Sequence, residues 1–146
     1  MNGKIHKKVN YLVKNYGTRD PEKLAEYLKI KIYYLPLGNI AGFYRYMAHN
    51  RCIYINSEID DIIYRKVVIA HELGHAVSHS KENCTFMAQH TLLLTTKVER
   101  QANIFAAHLL IDDEMLKSYA GYTEEQFCNC TGYPKELVEL RIGYQK

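Results

Sequence analysis

Arg65-Lys66-Val67-Val68-Ile69-Ala70-His71-Glu72-Leu73-Gly74-His75 is the stretch on which the reading of this chain turns. Together with Ile62 and Ile63, the apolar positions Val67, Val68, Ala70 and Leu73 recur as they do on a buried helix. They predict one from about Asp60 to about His79. Residues four apart on a helix lie about 40° from each other around the axis, with β-carbons roughly 5 to 6 Å apart. His71 and His75 can therefore both reach one metal ion. Glu72 is turned by about 100° from His71, so its carboxylate lies beside such an ion rather than on it. There it can take a proton from water.

A His-Glu-x-x-His string is short enough to arise by chance, so its surroundings decide. Burying two imidazoles and a carboxylate in an apolar helix without a partner costs several kcal/mol. Gly74 in a helix interior costs roughly 1 kcal/mol against Ala, which calls for the close approach of another backbone or of a ligand. Both features favour a zinc site over coincidence.

A catalytic zinc takes three protein ligands and leaves the fourth position to water. Candidates for the third are His79, Glu82, His90 and Glu99. His79 extends the i, i+4 series, but three ligands on one straight helix do not easily close around one ion. Glu82 and His90 fall in an irregular stretch, read as a loop over about residues 80 to 94. Glu99 opens a strong helical pattern from Val98 to Ile111, and a helix crossing the first could bring its carboxylate to the ion from another direction. Asn103, one turn later, is placed to hold a ligand by hydrogen bonding. The plainer alternative for Glu99 is a local role at the positive end of its own helix.

Towards the N-terminus, Ile5, Val9, Leu12, Val13 and Tyr16 give a helix over about 4 to 16. Asp20-Pro21-Glu22 then opens a second, with Asp as N-cap and Pro at the first helical position. Three strands are expected at Ile30–Leu35, Gly42–Met47 and Cys52–Asn56, the last two joined as an antiparallel hairpin through Ala48-His49-Asn50-Arg51. Beyond the Glu99 helix, two short helices are expected at about 123 to 130 and 134 to 142. Helices, a small antiparallel sheet, then helices make an α+β class.

Composition fits one globular domain spanning 1–146: 47% hydrophobic, 24% charged and three prolines. The net charge of +3 is spread along the chain, without the basic cluster of a nucleic-acid reader. The beginning of the chain lacks the apolar core and cleavage site of a secretion signal, and no apolar run approaches a membrane span, so a cytoplasmic protein is expected. The four cysteines lack zinc-finger spacing and read as reduced thiols. Thirteen tyrosines with no tryptophan have no account in the sequence itself.

Taken together, Asn56, the run Arg65 to His75, and Glu99-Arg100-Gln101-Ala102-Asn103-Ile104-Phe105-Ala106-Ala107-His108-Leu109-Leu110 resemble the ImmA/IrrE family of metallopeptidases. The Gly42 strand and the strand ending at Asn56 also look like that family's lead-in to its active helix. The resemblance covers roughly residues 24 to 112, with the flanks, including the C-terminal helices over about 113 to 146, only loosely similar. It implies a minimal zincin-like domain, with His71, His75 and Glu99 as zinc ligands and Glu72 as general base. It further implies a phage or mobile-element protease whose partner is a helix-turn-helix repressor, cleaved to relieve repression. One departure stands out: Asp112-Asp113 follows Ile111 where such families often place a proline.

As an enzyme, the chain would hydrolyse a peptide bond, its substrate added as a strand along a Gly42–Met47 edge, with Tyr44 and Tyr46 among the candidate oxyanion donors. The competing reading is a DNA-binding or regulatory interaction protein with a structural zinc. Thr123–Gln126, Thr131-Gly132-Tyr133-Pro134 and Glu136–Arg141 resemble a helix, turn and helix. The second of these helices mixes Lys135 and Arg141 with Glu136 and Glu139, a poor face for phosphates, so direct nucleic-acid binding is disfavoured. A purely structural zinc leaves Glu72 without a duty.

Overall fold

A computed structural model describes residues 2–78, 84–87 and 96–143. In chain order the elements are α1 (Asn2–Tyr16), α2 (Pro21–Tyr27), β1 (Lys31–Leu35), β2 (Ile40–Met47), β3 (Asn50–Asn56), α3 (Ile62–Ser78), β4 (Cys84–Met87), α4 (Lys97–Leu110), α5 (Asp113–Ser118), α6 (Glu124–Thr131) and α7 (Lys135–Ile142). The class is α+β, a small sheet packed against helices, as a minimal zincin-like domain requires.

Local chemistry starts the helices where the sequence places them. The Asp20 side chain accepts from the Glu22 amide ahead of Pro21, and Asp61 accepts from the amides of Ile63 and Tyr64 at the head of α3. Thr96 does the same for the Glu99 amide at the start of α4. Such caps satisfy backbone donors that have no partner within the helix.

The sheet is mixed rather than wholly antiparallel. Its strand order is β1-β3-β2-β4, with β1 parallel to β3 and the other pairs antiparallel. Chain reversal after β1 skips one position, and β3 returns to fill the gap. Asn56, at the end of β3, holds the crossing segment. Its Oδ1 accepts from the Leu37 amide, and its Nδ2 donates to the carbonyls of Gly38 and Ile40. Strand order here depends on a side chain nearly twenty residues downstream of the loop, which local periodicity does not report.

This order also corrects the expectation of a Gly42–Met47 edge. Over Gly42–Tyr44, β2 is paired with β3 on one side and β4 on the other. The edge positions belong to β1 and β4. β4 lies within the stretch expected to be irregular. The hairpin between β2 and β3 turns on two residues, Ala48 and His49, both at positive φ (50° and 64°), while Asn50 and Arg51 already belong to β3.

Helix α3 lies between the sheet and α4. On the sheet side, a β-carbon at Gly42 would sit 2.9 Å from the Tyr54 carbonyl oxygen and 3.0 Å from Val68 Cγ1. On the α4 side, one at Gly74 would sit 3.1 Å from Phe105 Cβ and 3.2 Å from the Ala102 backbone. The two glycines therefore allow α3 to be clamped from both sides. Val67, Val68, Ile69, Ala70, Leu73 and Ala76 are buried there with Tyr44, Ile53 and Ile55 from the sheet and Phe105 and Leu109 from α4.

The C-terminal helices pack on this core. Arg141 of α7 is buried, donates to the Ile111 carbonyl at 2.6 Å and pairs with Asp113 at 2.6 Å. Lys135 pairs with Glu139 on the same helix. Arg141 is thus a structural fastener rather than a phosphate contact, and Asp112-Asp113 has a use in place of a proline. Asp112 caps α5, a helix that the expected pair did not include.

Candidate active site

Helices α3 and α4 bring three of the expected residues together. The His71 and His75 side chains are fully buried one turn apart, with rings edge to face at 4.8 Å between centroids. Glu99, in the first turn of α4, faces both. Its Oε1 lies 3.2 Å from His71 Nε2 and its Oε2 lies 2.6 Å from His75 Nε2, while the two Nε2 atoms are 3.2 Å apart. Thr96 satisfies the Glu99 amide, and the Glu99 side chain reaches across to α3. Its placement is tertiary, not a local role at its own helix end. His79, Glu82 and His90 lie outside the described residues.

Asn103, one turn beyond Glu99, places its Oδ1 2.6 Å from His71 Nδ1. An amide oxygen only accepts, so Nδ1 donates to Asn103, and Nε2 is the ring nitrogen turned toward Glu99 and His75. Burial holds the His71 imidazole below its ordinary pKa, against the opposing effect of its Glu99 hydrogen bond. Burial also pushes the Glu99 carboxyl up, but hydrogen bonds and charge from His71 and His75 outweigh it and hold it at about 2. Burial thus works against charge on His71, and the Glu99 carboxyl is the anion of the cluster.

That donor set suits a divalent cation. One ligand atom from each of His71, His75 and Glu99 can be chosen so that all lie within 4.8 Å of one another. Tetrahedral zinc with bonds near 2.05 Å needs ligand atoms roughly 3.3 Å apart. The His71–His75 and His71–Glu99 separations, both 3.2 Å, already match.

Glu72 is fully buried next to His71, and no described residue hydrogen-bonds either of its carboxylate oxygens. Burial first, and the Glu99 charge second, push its pKa well above the ordinary value, with Arg45 pulling the other way. A carboxylate held without a partner has capacity for a reactant.

The profile of the IrrE N-terminal-like domain of the M78 peptidases matches residues 25–141. The chain belongs to this family. It is 38% identical over 136 residues to an uncharacterized immunity region protein 2 of Bacillus phage phi105, covering 91% of this chain and 85% of that one. It is 28% identical over 148 residues to the metallopeptidase ImmA of Bacillus subtilis strain 168, covering 95% and 84%. Membership in this peptidase family and the ImmA relative support a metallopeptidase.

Within this M78 domain, the candidate oxyanion tyrosines are packing residues first. Tyr44 is fully buried in the core and Tyr46 packs against it. Arg45, which influences Glu72 electrostatically, was not among the sequence candidates, because nothing in its local pattern distinguishes it from other strand arginines. Gly74 acquires the reason its helix position demanded. Ala is the better helix former by roughly 1 kcal/mol, yet Gly74→Ala should push α3 from the Ala102 backbone and spread the histidines from Glu99. Metal affinity should fall about tenfold, as when a ligand loses its supporting contact. Competition against a chromophoric chelator measures this, and an unchanged affinity would show that the helices can part without disturbing the site.

Proposed function

We propose that this chain is a cytoplasmic zinc metalloendopeptidase, one domain over residues 1–146, that cleaves a helix-turn-helix repressor of a phage or mobile element. The observation that carries the reading is the convergence of His71, His75 and Glu99 beside the buried carboxylate of Glu72, which has no hydrogen-bond partner among the described residues. The peptidase family and the relative described as a phage immunity region protein support a protein substrate. Among the described residues, no helix is long and apolar enough to cross a membrane.

In this reading His71, His75 and Glu99 hold the cation, and Asn103 fixes the His71 ring. Zinc in such a site acidifies a water and polarises the scissile carbonyl. Glu72 accepts the proton of the attacking water and delivers it to the departing amine.

Purified protein should contain about one zinc per chain. Incubated with the repressor encoded beside its gene, it should produce two fragments, and a chelator should stop the reaction until zinc is restored. Cleavage that survives complete removal of metal would overturn the mechanism.

A further inference from the structure

Strand β1 ends the sheet, and among the described residues nothing pairs with its outer edge. Its sequence, Lys31-Ile32-Tyr33-Tyr34-Leu35, carries one charge, and Tyr33, Tyr34 and Leu35 are 41%, 42% and 45% exposed. Folded proteins usually protect such an edge with charges, proline or a covering element. A groove of about 700 Å³ adjoins it, lined by Ile32 and Tyr34 of β1 and by Glu22 and Glu26 of α2.

The backbone phase of β1 is fixed by one hydrogen bond: the Leu35 carbonyl accepts from the Ser57 amide on the β3 side. Alternate residues direct their N–H and C=O to opposite edges, so Lys31, Tyr33 and Leu35 serve the sheet. Ile32 and Tyr34 point theirs outward. An antiparallel strand centred on Tyr33 meets this phase without slippage. Ile32 of one strand stands opposite Tyr34 of the other and exchanges two hydrogen bonds with it, and the symmetric pair does the same. Tyr33 faces itself in the intervening pair that shares no hydrogen bonds.

Side chains continue the same symmetry. Tyr33 stacks on Tyr54 at 5.2 Å and Tyr54 on Phe43 at 4.6 Å, a row of rings running across the sheet and ending exposed at its edge. A twofold axis at Tyr33 extends the row into a second copy. The groove carries Asp20, Glu22 and Glu26 against Lys23, Lys29 and Lys31. A surface of one sign repels its own image, whereas equal numbers of both signs can complement themselves. Two of the exposed tyrosines, Tyr33 and Tyr34, stand next to each other on this edge strand. Tyrosine supplies large amphipathic contact area, which is why interfaces are enriched in it.

We infer that β1 is a self-association edge: two copies of this chain pair antiparallel through β1, with the twofold axis at Tyr33, to make one continuous eight-stranded sheet, four strands from each copy. The occupant is a second copy, because the register, the aromatic row and the balanced charges are all self-complementary.

Sedimentation equilibrium on the full chain should show a reversible dimer. Tyr33→Lys places like charges directly opposite and should weaken the dimer about tenfold or more. Circular dichroism on that variant separates loss of pairing from loss of fold. Tyr33→Cys gives a positive test, since facing residues in this kind of pair have α-carbons about 4.5 Å apart, within disulfide reach. Mild oxidation should link position 33 to position 33, identified by mass spectrometry of the peptides. Leu35→Cys should give no 35-to-35 link, since those positions lie roughly 13 Å apart along the strands. A wild type monomeric at several hundred micromolar, or equal linking at 33 and 35, overturns the proposal. So does a monomer whose β1 edge is protected only when a repressor segment is added, which would assign the edge to an extended substrate instead.

Discussion

Glu72→Gln should keep its zinc and its fold and lose at least 10²- to 10⁴-fold in the rate of repressor cleavage, the range expected for general-base assistance. The substitution is nearly isosteric and leaves His71 and His75 untouched. Stability should not suffer, because the pocket already disfavours the charged carboxylate: burial and the Glu99 charge push the Glu72 pKa up. A neutral amide replaces a group the fold holds at a cost, so the variant should melt no lower than wild type. Proton transfer would then account for the buried oxygens of Glu72, which have no hydrogen-bond partner among the described residues. Metal analysis, a thermal melt and a gel of repressor fragments provide the three readings. Near-wild-type cleavage would eliminate Glu72 as the base. If the variant binds the intact partner and wild type never cuts it, regulatory binding becomes the better account.

The cluster of His71, His75 and Glu99 that forms the candidate site was legible in sequence because its parts sit on strongly periodic helices. The His71–His75 spacing needs only one turn of α3, and the Glu99–Asn103 spacing only one turn of α4. What sequence could not supply was the crossing that brings them together, which depends on Ala102 and Phe105 lying against Gly74. Gly74 advertised a close approach without naming its partner. The sheet was less legible, because β1 pairs parallel with β3 through a loop held by Asn56, and no local pattern in Ile30–Leu35 encodes that. Arg141 reads in sequence as one charge among several on a face poor for phosphates, yet it is buried because Asp113 and the Ile111 carbonyl occupy its guanidinium. Asp112, the cap of α5, carried a local signal that was available, and it was read only as a missing proline.

Glu99→Ala should strip most of the zinc, while Glu82→Ala and His90→Ala should leave it in place. The physical reason is charge as much as geometry. In the proposed site His71 and His75 would contribute nitrogen donors, and Glu99, held ionised with a pKa of about 2, would be the anion in the set. Without it, two imidazoles with Nε2 atoms 3.2 Å apart face each other with no carboxylate to balance a cation. Glu99→Gln separates the two contributions, since it keeps an oxygen donor but loses the charge, and its affinity should fall between wild type and Ala. Thermal melts provide a second reading. Metal that binds only the folded state at a thousand times its Kd stabilises by about 4 kcal/mol, which raises the melting point of a domain this size by roughly 15 °C. Wild type should show that shift on adding zinc, Glu99→Gln a reduced one, and Glu99→Ala almost none. A Glu99→Ala protein that keeps one zinc and the full shift would return Glu99 to a local role in α4. A loss of zinc in His90→Ala alone would move the third ligand to the segment between β4 and α4. The first pattern is expected because the Glu99 side chain spans from α4 to both histidines, a placement that serves no helix end and fits a shared cation.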